Sequence, residues 1–87
     1  MRKSRFTIAN RVADHALDIM ELIVSAIYSP RDICRQRLNA INRRLEALRI
    51  LFRICFDRQF ISAKQCTYIS ERIDEAGRMV EGWLKSL

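Results

Sequence analysis

An all-α fold, an antiparallel helical bundle of three long helices, is what this chain predicts, and three observations carry the prediction. Apolar residues recur at alternating spacings of three and four in three separate stretches, the period of helices that bury a stripe. Two glycines and one proline in 87 residues leave little room for β-turns. The junction Ser29-Pro30-Arg31-Asp32 is compact, and so short a connection makes the helices on either side antiparallel neighbours. Residues 1–87 read as one domain. A chain of this length buries only about 60–65% of its unfolded surface and is marginal alone, so completion or extension by oligomerisation is expected.

The first helix is expected to start at a Thr7 cap, after a mobile basic tail over residues 1–5, and to run to about Tyr28. Ile8, Val12, Ala16, Ile19, Met20, Ile23 and Ile27 line its apolar face, and Arg11, Asp14, Asp18, Glu21 and Ser25 the other. Its acids are candidate partners for arginines of the next helix. Ser29 can cap that next helix, Pro30 suits its first position, and Asp32 faces its N-terminus.

The middle helix, from Pro30 to about Arg58, organises the chain. Cys34, Leu38, Ile41, Leu45, Leu48, Phe52 and Cys55 form a heptad seam. Ile33, Ala40, Ala47 and Ile54 recur every seven residues beside it, with Leu51 between, as a second seam. Two seams fit burial on two sides, once within the subunit and once against another copy. The same pattern also fits one broad core face. Arg37 and Arg44 fall inside the apolar arc, where they must snorkel to water or pair with acids on a neighbour.

The third helix opens with a Ser62/Gln65 capping box and an Ile61/Cys66 staple. It buries Cys66, Ile69, Ile73, Ala76, Val80, Trp83, Leu84 and Leu87. Gly77 sits in mid-helix at a cost of about 1 kcal/mol against alanine, which points to close approach by another group, and Gly82 beside Trp83 reads the same way.

The net charge of +6 is uneven. Residues 31–58 hold eight arginines against three acids, while residues 59–87 balance four against four. A basic stripe on a rigid element is the footprint of RNA or DNA binding through phosphate contacts; a merely solvated face is the blander reading. Thirteen of the sixteen basic residues are arginine, whose planar fork suits phosphate, and this leans toward recognition. The candidate contacts are Arg31, Arg35, Arg43, Arg49, Arg53 and Arg58. Ile33, Ala40, Ala47, Leu51 and Ile54 are the candidate oligomer interface.

No catalytic or cofactor site is expected. His15 has no nucleophile or paired carboxylate placed with it, and no glycine-rich phosphate loop occurs. Three cysteines, no CxxC pair and a single histidine give no zinc set. Cys34, Cys55 and Cys66 read as small buried hydrophobes in a reducing cytoplasm. No secretory signal or membrane-length apolar run is visible.

The third helix carries a resemblance. Gly77-Arg78-Met79 with Gly82-Trp83, inside Ser70–Ser86, is similar to the closing segment of the four-helix-bundle family of the accessory variability determinant of diversity-generating retroelements. Lys3–Arg11 resembles the stretch leading into that family's second helix, and Leu48–Asp57 with Phe60-Ile61-Ser62 its third helix and following turn. Related bundles are encoded within insertions in ribosomal RNA genes. Two departures stand out: the family's first helix has no counterpart here, and Glu81 stands where the family has a small residue. The resemblance implies a non-enzymatic, homo-oligomeric (pentameric) partner of a reverse transcriptase, binding nucleic acid during mutagenic copying of a template RNA. The competing expectation is a helical protein–protein interaction module with no nucleic-acid role.

Overall fold

A computed structural model describes the backbone of residues 2–87 and the side chains from Thr7 onward. It contains α1 (Arg2–Tyr28), α2 (Arg31–Asp57) and α3 (Ala63–Ser86), with no strand among the described residues. α1 therefore begins at Arg2 rather than after a cap at Thr7, which lies within the helix. The side chains of Arg2, Lys3 and Arg5, expected in a basic tail, lie outside the described residues.

The junctions follow local chemistry. Pro30, extended at φ −64° and ψ 165°, is the N-cap of α2 and makes no side-chain cap bond. Ser29 serves the preceding helix instead, donating from Oγ to the Ser25 carbonyl at 2.6 Å. Proline thus stands one position earlier than expected: its fixed φ suits the extended cap as well as the first turn. α2 ends at the Arg58 C-cap with Gln59 left-handed at φ 63°. The Phe60 N–H donates to the Cys55 carbonyl at 2.8 Å and the Gln59 N–H to that of Phe56 at 2.9 Å, the paired bonds of a Schellman ending. Glycine usually occupies that left-handed position. Gln59→Gly is therefore expected to stabilise the chain by about 0.5–1 kcal/mol, read as a higher urea midpoint. α3 starts as expected: Ser62 Oγ accepts from the Gln65 N–H and Gln65 Oε1 from the Ser62 N–H.

Three helices at the usual spacing of about 8–10 Å close into a triangle with two similar short dimensions. This molecule measures 45 × 23 × 13 Å, and its radius of gyration is 14.4 Å. A compact chain of this length has a radius of gyration of about 12 Å. The reason is topological: α2 packs against α1 on one side and α3 on the other, and α1 and α3 do not pack together. The successive helices are antiparallel neighbours as expected, but they form an open layer one helix thick at its edges, not a closed bundle.

Two matched registers hold the layer. Arg37 donates from Nε to Ser25 Oγ at 3.0 Å, and seven residues along α2 Arg44 reaches back seven residues along α1 to Asp18 at 3.4 Å. On the other side Asn42 donates to Glu81, and seven residues on Arg49 meets Asp74 at 2.6 Å. Both registers step by seven because heptad spacing keeps a straight seam facing its neighbour. Arg37 and Arg44 thus find partners on α1, as their place in the apolar arc requires.

The core is the α2 seam. Leu38 (0% exposed), Ile41 (2%), Cys34, Leu45 and Leu48 are buried with Ala26 of α1 and Ile73 and Val80 of α3. Cys55 is buried too, whereas Cys66 is only half-buried. On α3 the expected face is inward: Ile69, Ala76, Trp83, Leu84 and Leu87 pack against the core.

α1 departs from expectation. Val12, Ile19, Leu22 and Ala26 pack inward and His15 is buried, but Met20, Ile23 and Ile27 of the expected core face are exposed. Leu17 (57%), Met20 (63%), Val24 (56%) and Ile27 (57%) make an outward ridge at spacings of three, four and three. With α3 on the far side of α2, no helix of this chain reaches that ridge. Neither glycine of α3 marks a close approach within the chain: an added methyl at Gly77 or Gly82 meets nothing within 4 Å.

Candidate nucleic-acid interface

The arginines of α2 share one helix but not one environment. Arg44 is spent on α1: besides Asp18, its guanidinium lies 3.4 Å from His15 Nδ1. His15, the lone histidine, is thereby a buried structural partner with no nucleophile beside it. Arg49 faces α3, where it binds Asp74 at 2.6 Å and Glu46 at 3.3 Å. The hydrogen bond to Asp74, with smaller contributions from charge attraction and from Glu46, raises its pKa above the ordinary arginine value. The Arg49 fork is therefore occupied and bridges two helices.

Arg53 is more available. Its pair with Asp57 is 3.3 Å long, one helical turn apart, and exposed on both sides. Such a pair is worth well under about 1 kcal/mol, so a phosphate can displace the carboxylate. Arg53 also lies over the Phe56 ring, 5.6 Å from its centre. Arg31, Arg35, Arg43 and Arg58 are exposed and bear no ion pair among the described residues.

Spacing divides these cations into two stripes. Arg31, Arg35 and Arg53 share the arc of Asn42, Glu46 and Arg49, beside α3. Arg78 and Lys85 of α3 are exposed and bear no ion pair among the described residues; they lie on the same flank, one turn either side of Glu81, which Asn42 touches. Nothing in the linear pattern singles out those two, because the segment after residue 58 is neutral in sum; only the α2–α3 register brings them beside the α2 stripe. Arg43 and Arg58 lie instead on the outward arc with Ala47, Ile50 and Ile54.

The expected oligomer-interface residues Ile33, Ala40, Ala47, Leu51 and Ile54 are all half-buried, whereas Ile50 beside them is 60% exposed. The α1 ridge was not anticipated. The available signal was the number of apolar residues between Leu17 and Tyr28, more than one buried stripe can use.

Among the described residues no His, Cys, Asp or Glu cluster fits a metal ion. The surface grooves are shallow and no described set of side chains pairs a nucleophile with a base. No described helix is long and apolar enough to cross a membrane. Burial pushes the Cys55 thiol up, which suits a packing role rather than a reactive one.

An open layer of three helices, with arginines along its central element that bear no ion pair among the described residues, defines a basic, all-helical protein. The bAvd-like family model matches residues 1–87, and the chain belongs to the bAvd-like family. This is the family of Avd-like, non-catalytic accessory proteins associated with diversity-generating retroelements. Searches of curated proteins and of solved structures each found no match.

Proposed function

We propose that this chain is a non-enzymatic accessory protein of a diversity-generating retroelement, a basic homo-oligomeric scaffold that binds the reverse transcriptase and template RNA during mutagenic retrohoming. The observation that carries the reading is the family match over the whole of residues 1–87. Phosphate binding by α2 is the physical part of it. Arg31 and Arg35 reach solvent near the positive end of the helix with no carboxylate partner among the described residues, and Arg53 can exchange its own carboxylate for a phosphate. Arg49 contributes by fixing α3 against α2 rather than by direct contact. The family likeness suggests a pentameric ring, and three free cysteines suit a cytoplasmic site of action.

The exposed α1 ridge also supports a second reading, a protein–protein interaction module with no nucleic-acid role. Co-expression with the reverse transcriptase of a diversity-generating retroelement separates the two, in a pull-down run with and without nuclease. Co-purification that survives nuclease is the expected result and means direct protein contact. Loss on nuclease treatment means that RNA bridges the pair, and no co-purification of folded protein overturns the retroelement reading.

A further inference from the structure

The first two turns of α3 hold a hollow that no α2 arginine lines. It measures about 370 Å³ and is bounded by Ile61, Lys64, Gln65, Tyr68 and Ile69. Ile61 and Ile69 are half-buried and give it an aliphatic floor, while Tyr68 is 60% exposed and stands as a wall. Side chains on a helix lean toward its N-terminus, so the Tyr68 ring covers the turn that carries Lys64 and Gln65. One turn further on, the Arg72 guanidinium lies over the same ring, 5.1 Å from its centre, and also pairs with Glu75 at 3.1 Å. Tyr68 thus stands between Arg72 on one side and the hollow on the other.

Two polar groups edge the hollow. Gln65 Oε1 accepts from the Ser62 N–H at 2.9 Å, which fixes the amide and leaves its NH2 group to donate. Lys64 is exposed and bears no ion pair among the described residues. The nearby acids of α3, Glu71 and Glu75, lie beyond the ring in the C-terminal direction, so an anion is favoured on the Lys64 side. An apolar slot with an aromatic wall, an amide donor and an ammonium group matches a nucleobase and its phosphate. The base stacks on the ring, its edge accepts from the amide, and the phosphate meets the lysine. An aliphatic side chain of a protein would use the walls alone and leave both polar groups idle.

We propose that the hollow beside Tyr68 takes one unstacked base of a single-stranded RNA, with the adjoining phosphate at Lys64. The inference rests on the RNA-binding part of the proposed function and goes beyond it. It adds a contact on α3 that reads a π-face rather than charge, and it makes the protein select single strands, because a base inside a duplex is already stacked on both sides.

Fluorescence anisotropy of the full chain tests this with two labelled probes of equal length, a single-stranded oligoribonucleotide and its abasic counterpart, which keeps the phosphates and lacks the bases. Tyr68 is exposed, so Tyr68→Ala should leave the helical circular-dichroism signal unchanged. Wild type should bind the base-bearing probe about tenfold more tightly than the abasic one, and Tyr68→Ala should lose that preference while holding the abasic probe as wild type does. Tyr68→Phe, which keeps the ring, should behave as wild type. The salt slope of Tyr68→Ala should match wild type, since no phosphate contact is removed. A Tyr68→Ala variant that binds the base-bearing probe as wild type does overturns the proposal, as does one that weakens both probes equally. A variant that keeps its RNA affinity but no longer co-purifies with the reverse transcriptase after nuclease would assign the hollow to a protein side chain, which also overturns it. Wild type that binds both probes alike defeats this inference and leaves the RNA-binding reading standing; wild type that binds neither defeats both.

Discussion

Replacing Arg31, Arg35 and Arg53 together by glutamine should weaken RNA binding about 50-fold near 0.15 M salt, because each lost phosphate contact on single-stranded RNA forfeits roughly a factor of four in counterion release. The slope of log affinity against log salt should flatten by about 2, three contacts at about 0.7 each. Discrimination between RNA sequences should change little, since phosphate contacts carry no base information. The control is Arg49→Gln. Its fork already holds Asp74 and Glu46, so its loss should leave the salt slope nearly unchanged while lowering the urea midpoint as α3 loosens from α2. Filter binding across a salt series reads both effects, and an unaltered slope in the triple variant would sink the assignment.

Leu38→Ala should cost about 3–4 kcal/mol, the scale for emptying a fully enclosed leucine site. Leu38 is 0% exposed at the centre of the seam, where side chains of α1 and α3 both close over α2. A chain of 87 residues has of the order of 5–10 kcal/mol to lose, so the variant should forfeit roughly a third or more of its stability and unfold at a much lower urea concentration. Leu17→Ala, the same chemical change at a 57% exposed site, should cost less than about 1 kcal/mol. Urea titrations at concentrations where the chain is monomeric compare the two, with an unchanged denaturant slope marking a change in stability alone. Equal losses at both positions would mean that the ridge is buried within the chain after all.

The three helices were legible in the sequence because helix formation depends on near neighbours. The Ser62/Gln65 capping box is visible four letters at a time, and the α2 seam from Cys34 to Cys55 is a repeat along one element. The short Ser29–Pro30 link dictates antiparallel neighbours whatever else the chain does. The family likeness was legible for a related reason: Gly77-Arg78-Met79 and Gly82-Trp83 are a local pattern, and the match over residues 1–87 bears it out.

What the tertiary structure alone decided is which faces meet. A helical repeat tells how wide an apolar face is, not which neighbour covers it. Met20, Ile23 and Ile27 carry the same period as Ile19 and Ala26, yet α3 lies beyond α2 and leaves them in solvent. The arginines divide for the same reason. Arg49 and Arg53 are one turn apart on a single helix, but only Arg49 falls opposite an α3 carboxylate, because the register fixed by Asn42 and Glu81 carries Asp74 to it. Charge content belongs to the sequence; whether a given guanidinium is spent on a neighbour or left for a phosphate depends on positions more than twenty residues away, and only packing brings those together.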